Sequence, residues 1–513
     1  MSGLNRRGFL GALTAGAGLA QAAALEGPLG KAAPLGRSGK PKNVLLMMAD
    51  QHRPEALGIR GNTIAKTPNL DRLAESGLRF DHAFCADPVC VPSRASLLTS
   101  LYDHHHKTYD NTFPWPSEHK TIAHYFGQAG YMTGLVGKMH FVDAQTHGFE
   151  YKLDFNDWYQ YLGPKTKLRA EEIFYPNSGS GLPQINDLWR DYGDPWTGVI
   201  ERDNREGYSM VGRASGLAER DHFESFVARE SIRFLKNFGT KRPFLLVTSF
   251  LKPHDPFTPA ERFAKMFRAP DIKLPDTWGK VDLATVPRLI REHIEYNGAT
   301  PELRDPEQAK RRIAKYYSSL AQTDDCVGKV LQALKELGLE DDTIVLYTAD
   351  HGDMLGAHGI WGKTVFYEPS VGVPLLVRAP GLTSANSRCE TPVSLVQVLP
   401  TLAEMCGIPA PTGIDGTSFV SNLREPHRTE ETTIFAEHGL ASAHPAYMIR
   451  RGDYKYCYYV NDTPELYNLR ADPHEMKNLA LLPAYKEKAK EMQERLFGWH
   501  RPAEPQKRQE VHR

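Results

Sequence analysis

The run Cys90-Val91-Pro92-Ser93-Arg94 puts a cysteine two positions ahead of a proline. Proline is favoured in the first turn of a helix. The cysteine would then sit at a helix N-terminus, where free amides hold anions or depress a thiol's pKa. The pattern is short, and taken alone it describes a buried structural cysteine equally well. Two carboxylates add weight. Asp50 closes the apolar run that starts at Asn43, and Asp350 follows Thr343 to Ala349. Gln51 and His351 stand directly after them. Two carboxylates, an amide and an imidazole at strand ends form an oxygen-rich site for a hard divalent ion. Each aspartate alone would read as a helix cap, and His351 alone as a packed, hydrogen-bonded histidine.

These residues need a scaffold that brings strand ends together. Residues 43–50, 131–136, 244–250, 343–348 and 374–378 read as strands, and 67–77, 92–101, 118–129, 221–238, 305–338 and 391–406 as helices. Helix and strand alternation predicts an α/β fold, a large mostly parallel or mixed sheet with helices on both faces. Asp50, His254 and Asp350 fall just beyond strand C-termini, where open α/β sheets carry their sites. Residues 141–215 are rich in Trp, Tyr, Gly and Pro and predict loops over the sheet. After the closing helix the pattern changes. Short strands at 432–436, 447–450 and 454–459, with a turn at Arg451-Gly452-Asp453, predict a small C-terminal antiparallel sheet with a helix at 483–496. The expected organisation is a leader over 1–40, a catalytic α/β domain over 41–410, a C-terminal α+β subdomain over 411–500 and a flexible tail over 501–513.

Bulk properties narrow the function. The 513 residues carry a formal net charge of +0, against a nucleic-acid partner, which calls for a basic excess. Arg6 and Arg7 precede a short Gly- and Ala-rich apolar run, with Ala20-Gln21-Ala22 as a cleavage site. The run suits a twin-arginine export signal better than a membrane helix. The protein is thus expected to be periplasmic or secreted, with no stable membrane anchor. Twin-arginine export carries folded proteins, so modification and metal loading would precede it. Six cysteines are too few for a disulfide framework of this size, and most are expected as buried apolar side chains.

Four separated runs occur in order: Cys90 to Ser100 (CVPSRASLLTS), Gly137-Lys138-Met139-His140, Lys252-Pro253-His254-Asp255-Pro256-Phe257, and Thr348-Ala349-Asp350-His351-Gly352-Asp353, continuing through His358-Gly359 to Trp361-Gly362-Lys363. Together they resemble the type I sulfatases of the alkaline-phosphatase superfamily, over most of residues 42–480. Glu465 to Leu469, Asp472-Pro473 and Asn478-Leu479 are similar to that family's C-terminal subdomain. The resemblance implies that a separate formylglycine-generating enzyme oxidises Cys90 to formylglycine (3-oxoalanine). It implies one divalent metal held by Asp50, Gln51, Asp350, His351 and an oxygen of the modified Cys90. Many sulfatases carry two aspartates at the first pair and Asp-Asn at the second. Asp50-Gln51 and Asp350-His351 depart from this, as in a subgroup of phosphonate monoester hydrolases and promiscuous arylsulfatases. Ca²⁺ is the expected ion, with Mn²⁺ close behind because of the imidazole.

Under the same resemblance, a hydrated formylglycine attacks sulfur and Arg94 holds the modified residue. Lys138 and Lys363 neutralise sulfate oxygens. His254 protonates the leaving oxygen, and His140 takes a proton from the second hydroxyl. Asn111 resembles an asparagine close to the sulfate in that family. In the run Asp103-His104-His105-His106-Lys107, three adjacent histidines cannot all point inward, so one of them, His104, is expected to meet substrate at a pocket rim. Trp115, with Trp158 and Tyr159, is an expected aromatic wall, with core packing the competing reading.

The expected activity is hydrolysis of a sulfate ester, from an aryl sulfate or a sulfated saccharide. A phosphonate monoester or phosphodiester hydrolase on the same scaffold is the first alternative, and an exported carbohydrate-binding relative without turnover the second. A plain alkaline phosphatase fits less well, since that family uses an unmodified serine or threonine with two metals.

Overall fold

The computed structural model describes residues 42–113, 115–141, 145–162, 214–215, 217–298, 301–409, 411–428 and 430–502. The expected leader, most of the 141–215 insert, nearly all of the tail and the side chain of Tyr159 lie outside these residues.

Among the described residues, the large sheet has nine strands: β1 (Asn43–Asp50), β2 (Leu78–Phe84), β3 (Met132–Gly137), β4 (Tyr151–Leu153), β5 (Phe244–Pro253), β6 (Thr343–Ala349), β7 (Gly372–Arg378), β8 (Ser387–Cys389) and β9 (Val393–Ser394). Their order is β4-β3-β5-β1-β6-β7-β2-β8, with β9 also against β2. The strands β4, β3, β5, β1 and β6 run parallel, and β7 runs antiparallel to both β6 and β2. All eight residues of β1 are buried, the burden of a central parallel strand.

Alternation along β1 divides the core in two. Val44, Leu46 and Met48 face one cluster with Leu98, Phe126 and Leu399, from the helices Cys90–Thr99, Ile122–Gln128 and Val398–Met405. Leu45, Met47 and Ala49 face the other, with Leu73, Phe234 and Leu334 from the helices Pro68–Glu75, Phe223–Phe238 and Pro306–Glu336. Helices therefore cover both faces, as the alternation predicts.

Four further strands, β10 (Thr433–His438), β11 (Ala446–Arg451), β12 (Tyr454–Tyr459) and β13 (Glu465–Asn468), form an antiparallel sheet in sequence order. Ala436, Met448 and Cys457 join the first core cluster. Ile449 and Tyr456 pack under Met492 and Leu496 of the helix Lys486–Trp499. All six cysteines are buried and free, as expected. Among the described residues no helix is long and apolar enough to cross a membrane.

Candidate active site

Four neighbouring parallel strands deliver chemistry at the same end. β3 leads into Lys138 and His140, β5 into His254, β1 ends at Asp50 before Gln51, and β6 leads into Asp350 and His351. The turn after β3 needs glycine. Gly137 has φ +109, and a Cβ there would lie 1.9 Å from the Ser249 carbonyl oxygen. Gln51 and His140, each at φ 66, hold the left-handed conformation that costs a non-glycine residue roughly 1–3 kcal/mol.

Cys90 begins its helix, whose ten residues are all buried. Its Sγ lies 2.9 Å from Lys363 Nζ, 3.3 Å from His351 Nε2, and 3.8 Å from both Lys138 Nζ and Asp50 Oδ1. Burial resists ionisation of the thiol, but Lys138, Lys363 and His351 outweigh it and hold its pKa well below the ordinary value. The surroundings favour a negative charge on the side-chain atom at position 90. Asn111 sits beside it, its Oδ1 accepting from Val91 N–H at 3.1 Å.

Arg94, fully buried one turn on, joins the two carboxylates. Its Nη2 lies 2.9 Å from Asp50 Oδ2 and 2.8 Å from Asp350 Oδ2, and its Nε donates to Asp350 Oδ2 at 2.9 Å. Its Nη1 donates to the carbonyl of Lys138 and to Ser249 Oγ. Lys138 Nζ stands 2.5 Å from Asp50 Oδ2. His254 Nε2 lies 3.9 Å from Asp50 Oδ1, on a side chain 23% exposed. Burial and Lys363 oppose protonation of His254, but Asp50 and Asp255 outweigh them and raise its pKa. His140 behaves oppositely. Burial is the main cause that lowers it to about 4, against an interaction with Cys90 that raises it.

The ligand atoms of Asp50, Cys90, Asp350 and His351 all lie within 4.8 Å of one another. Two details fit a cation there. His351 Nδ1 donates to the Gly352 carbonyl at 2.9 Å, which leaves Nε2 with its lone pair facing the cluster. Gln51 Nε2 donates to Asp353 Oδ2 at 2.5 Å and to Asp255 Oδ1 at 3.4 Å. Both amide donors are thus directed at carboxylates, and the buried Oε1 has no partner. An orphaned buried carbonyl oxygen is costly unless something outside the chain fills it.

The sulfatase family profile matches residues 42–408. The chain belongs to the sulfatase family. A profile of the N-sulphoglucosamine sulphohydrolase C-terminal region matches residues 356–501. An arylsulfatase of Clostridium perfringens is 30% identical over 458 residues, 87% of this chain and 92% of that protein. A choline-sulfatase of Rhizobium meliloti is 31% identical over 460 residues, 87% of this chain and 83% of that one. The crystal structure of a phosphonate monoester hydrolase of Agrobacterium radiobacter superposes with a TM-score of 0.72 at 26% identity, covering 89% of this chain and 95% of that one. The large mostly parallel sheet and its small antiparallel companion thus belong to an alkaline-phosphatase-like fold, and the enzyme class is sulfuric ester hydrolase.

Three residues expected near the substrate make contacts of their own in this sulfatase. Trp115 is 4% exposed and packs on Phe141 and His147 in the first core cluster. Trp158 is buried against Phe223, with its indole N–H on the carbonyl of Asp221. Both aromatics pack in the core clusters, the competing reading of the pair. His104 contacts Glu437, His500, Tyr102 and Trp499.

Other residues went unread in the sequence. Ser93 Oγ donates to the Asp350 carbonyl at 2.5 Å, and Asp353, inside the quoted Asp-His-Gly-Asp run, orients Gln51. The loop bearing Lys363 is held from the small sheet. Lys455 Nζ, fully buried, donates to the Phe366 carbonyl at 2.7 Å and pairs with Glu368 at 2.9 Å and with Glu475. The hydroxyl of Tyr367 donates to Glu465 at 2.9 Å. Lys455→Met is expected to destabilise the sulfatase by about 3 kcal/mol, the low end for losing one partner of a buried ion pair. It is also expected to lower kcat by about 10-fold through misplacement of Lys363. Thermal melts and steady-state kinetics check both.

Proposed function

We propose that this sulfatase hydrolyses the sulfate ester of an aryl or saccharide alcohol, with an oxygen nucleophile on residue 90 and one divalent cation, Ca²⁺ ahead of Mn²⁺. The observation that carries this reading is the convergence of Lys363, Lys138, His351 and Asp50 on Cys90 Sγ. Oxidised to formylglycine by its maturation enzyme and hydrated, residue 90 would present a hydroxyl nucleophile, and the cation would supply the positive charge that lowers that hydroxyl's pKa. Asp50, Asp350, Gln51 Oε1 and His351 Nε2 would hold the cation.

The remaining roles fall to charges and protons on this chain. Lys138 and Lys363 neutralise the sulfate oxygens as charge shifts toward the leaving group. His254 Nε2 carries the proton for the departing alcohol oxygen, consistent with its raised pKa. His140, held neutral near neutral pH by burial, accepts the proton of the second hydroxyl at position 90 as the carbon–oxygen bond to the sulfate breaks, so that sulfate leaves and the aldehyde re-forms. Asn111 steadies the first helical turn and faces the ester. The Arg6-Arg7 leader supports delivery by the twin-arginine route, with the modification made beforehand.

Phosphonate monoester hydrolysis is the second reading, favoured by the likeness to the Agrobacterium radiobacter enzyme and by Gln51 and His351 at the metal pairs. Turnover of 4-nitrophenyl sulfate, an aryl phosphonate monoester and an aryl phosphodiester separates the two. The highest kcat/KM is expected on the sulfate, and a preference for either phosphorus substrate refutes the primary reading. Gln51→Ala is expected to weaken Ca²⁺ and Mn²⁺ binding by at least about 10-fold, measured by calorimetry on metal-stripped enzyme. Unchanged affinity removes Gln51 from the ligand set.

A further inference from the structure

A second group of metal-ligating side chains lies apart from Cys90. His104, Glu437 and His500 each offer one ligand atom, and these atoms lie within 4.8 Å of one another. They come from three distant segments: the turn after the Cys90 helix, strand β10, and the residue that follows the Lys486–Trp499 helix. Glu437 is fully buried, and its carboxylate accepts from His104 N–H at 3.0 Å and meets His104 Nδ1 at 2.5 Å. The ring of His500 stacks on that of His104, centroids 4.1 Å apart. Among the described residues no hydrogen bond occupies either ring nitrogen of His500, and a cation here would replace the hydrogen bond between His104 Nδ1 and Glu437, with Nδ1 as the donor atom of His104. Trp499 and Tyr102 wall the cluster with aromatic faces.

We propose that His104, Glu437 and His500 form a second metal site, for a late first-row divalent ion of the zinc type, that clasps the C-terminal end of the chain onto the catalytic unit. Two imidazoles and one carboxylate are a donor set that zinc accepts readily, whereas the oxygen-rich cluster at Cys90 suits harder ions. The His500 side is part-exposed, His104 retains 11% side-chain exposure, and the buried Glu437 brings the charge that offsets the cation. The clasp reaches toward the nucleophile through β10. Glu437 N–H donates to the Ala86 carbonyl at 2.8 Å, and His438 Nδ1 meets Asp87 Oδ1 at 3.0 Å, both in the loop that leads to Cys90.

The test uses full-length chain without an affinity tag, stripped of metal and dialysed against Zn²⁺ with excess Ca²⁺. Bound zinc is counted by elemental analysis for the native chain, His500→Ala, His500→Gln and Glu437→Gln. The native chain is expected to hold one more zinc per chain than any variant. Its Zn²⁺ affinity at this site is expected to exceed that of His500→Ala by at least about 100-fold, beyond what loss of an outer partner costs. Zn²⁺ at about 100 times its Kd is expected to raise the native melting point by about 3 °C and leave His500→Ala unmoved. Equal zinc content in the native chain and the two His500 variants overturns the proposal. A zinc-dependent rise in melting point that survives in His500→Ala does so as well. His500 is half-exposed and outside the core clusters, so its variants keep the fold and the comparison is decisive. Co²⁺ in place of Zn²⁺ adds a visible spectrum that is expected to disappear in His500→Gln, and a spectrum unchanged there refutes the ligand set.

Discussion

Cys90→Ala is expected to lose sulfate-ester turnover by at least about 10⁴-fold, the scale on which removal of an enzyme nucleophile falls, while the protein stays folded. The substitution deletes a single sulfur atom. That atom contacts Lys363, Lys138, His351 and Asp50, and Cys90 belongs to neither of the two core clusters that flank the large sheet. The helix around it is anchored independently, by Val91 N–H on Asn111 and by Ser93 Oγ on the carbonyl of Asp350. The stability change is therefore expected within about 1 kcal/mol, typical of single substitutions. Far-UV dichroism and a thermal melt test the fold, and hydrolysis of 4-nitrophenyl sulfate tests the activity. The same position carries a covalent test. In active protein from the native host, the peptide spanning residue 90 is expected about 18 Da lighter than its thiol form, the mass of a thiol-to-aldehyde conversion. Fully active protein with an alkylatable Cys90 refutes the formylglycine nucleophile.

How much of this could be read beforehand depends on whether a residue's role was local. β1 and β6 were legible because each is an unbroken apolar run that ends at a carboxylate, so Asp50 and Asp350 fell at strand ends without knowledge of the fold. β2 was not. Leu78–Phe84 carries Arg79, Asp81 and His82, which look like a polar loop. In the structure Asp81 pairs with Arg79 along the strand at 2.9 Å and with Arg388 of the neighbouring β8 at 2.7 Å, so its charge is satisfied within the sheet. The closing helix begins late for a similar reason. Residues 393–394 pair with β2 as β9, and Ser394 then caps the turn that precedes Val398–Met405.

At the site, residue identity was readable and mutual support was not. Gln51 was a candidate ligand from its place after Asp50. The reason its oxygen is the free end lies in Asp353 and Asp255, which reach it from 302 and 204 residues away in sequence. Ser249 is one polar residue inside a buried strand, and nothing in its neighbourhood signals that Arg94 needs it. For Trp115 and His104 the chemistry was readable and the partners were not: tertiary packing puts Trp115 in the core and pairs His104 with Glu437.

The support is most concentrated at Arg94, which makes Arg94→Met the more revealing companion to Cys90→Ala. Arg94, Asp50 and Asp350 are each fully buried, and one guanidinium serves both carboxylates and ties them to β3 and β5 through Lys138 and Ser249. Methionine roughly fills the volume and donates nothing, so two buried carboxylates lose a shared cation. Breaking a buried pair by removing one partner costs about 3–5 kcal/mol. That loss is expected in the unfolding midpoint, together with near-complete loss of turnover as Asp50 and Asp350 move. Arg94→Lys restores a charge as a point, without the fork that spans both carboxylates, and is expected to fall between the native chain and methionine. The divalent cation separates the two consequences. Asp50 and Asp350 remain as ligands in Arg94→Met, so saturating Ca²⁺ is expected to recover part of its stability, and more than it adds to the native chain. If Arg94→Met melts with the native protein in the absence of metal, the carboxylates do not depend on the guanidinium. The salt-bridged core of the site would then have to be reassigned to Lys138.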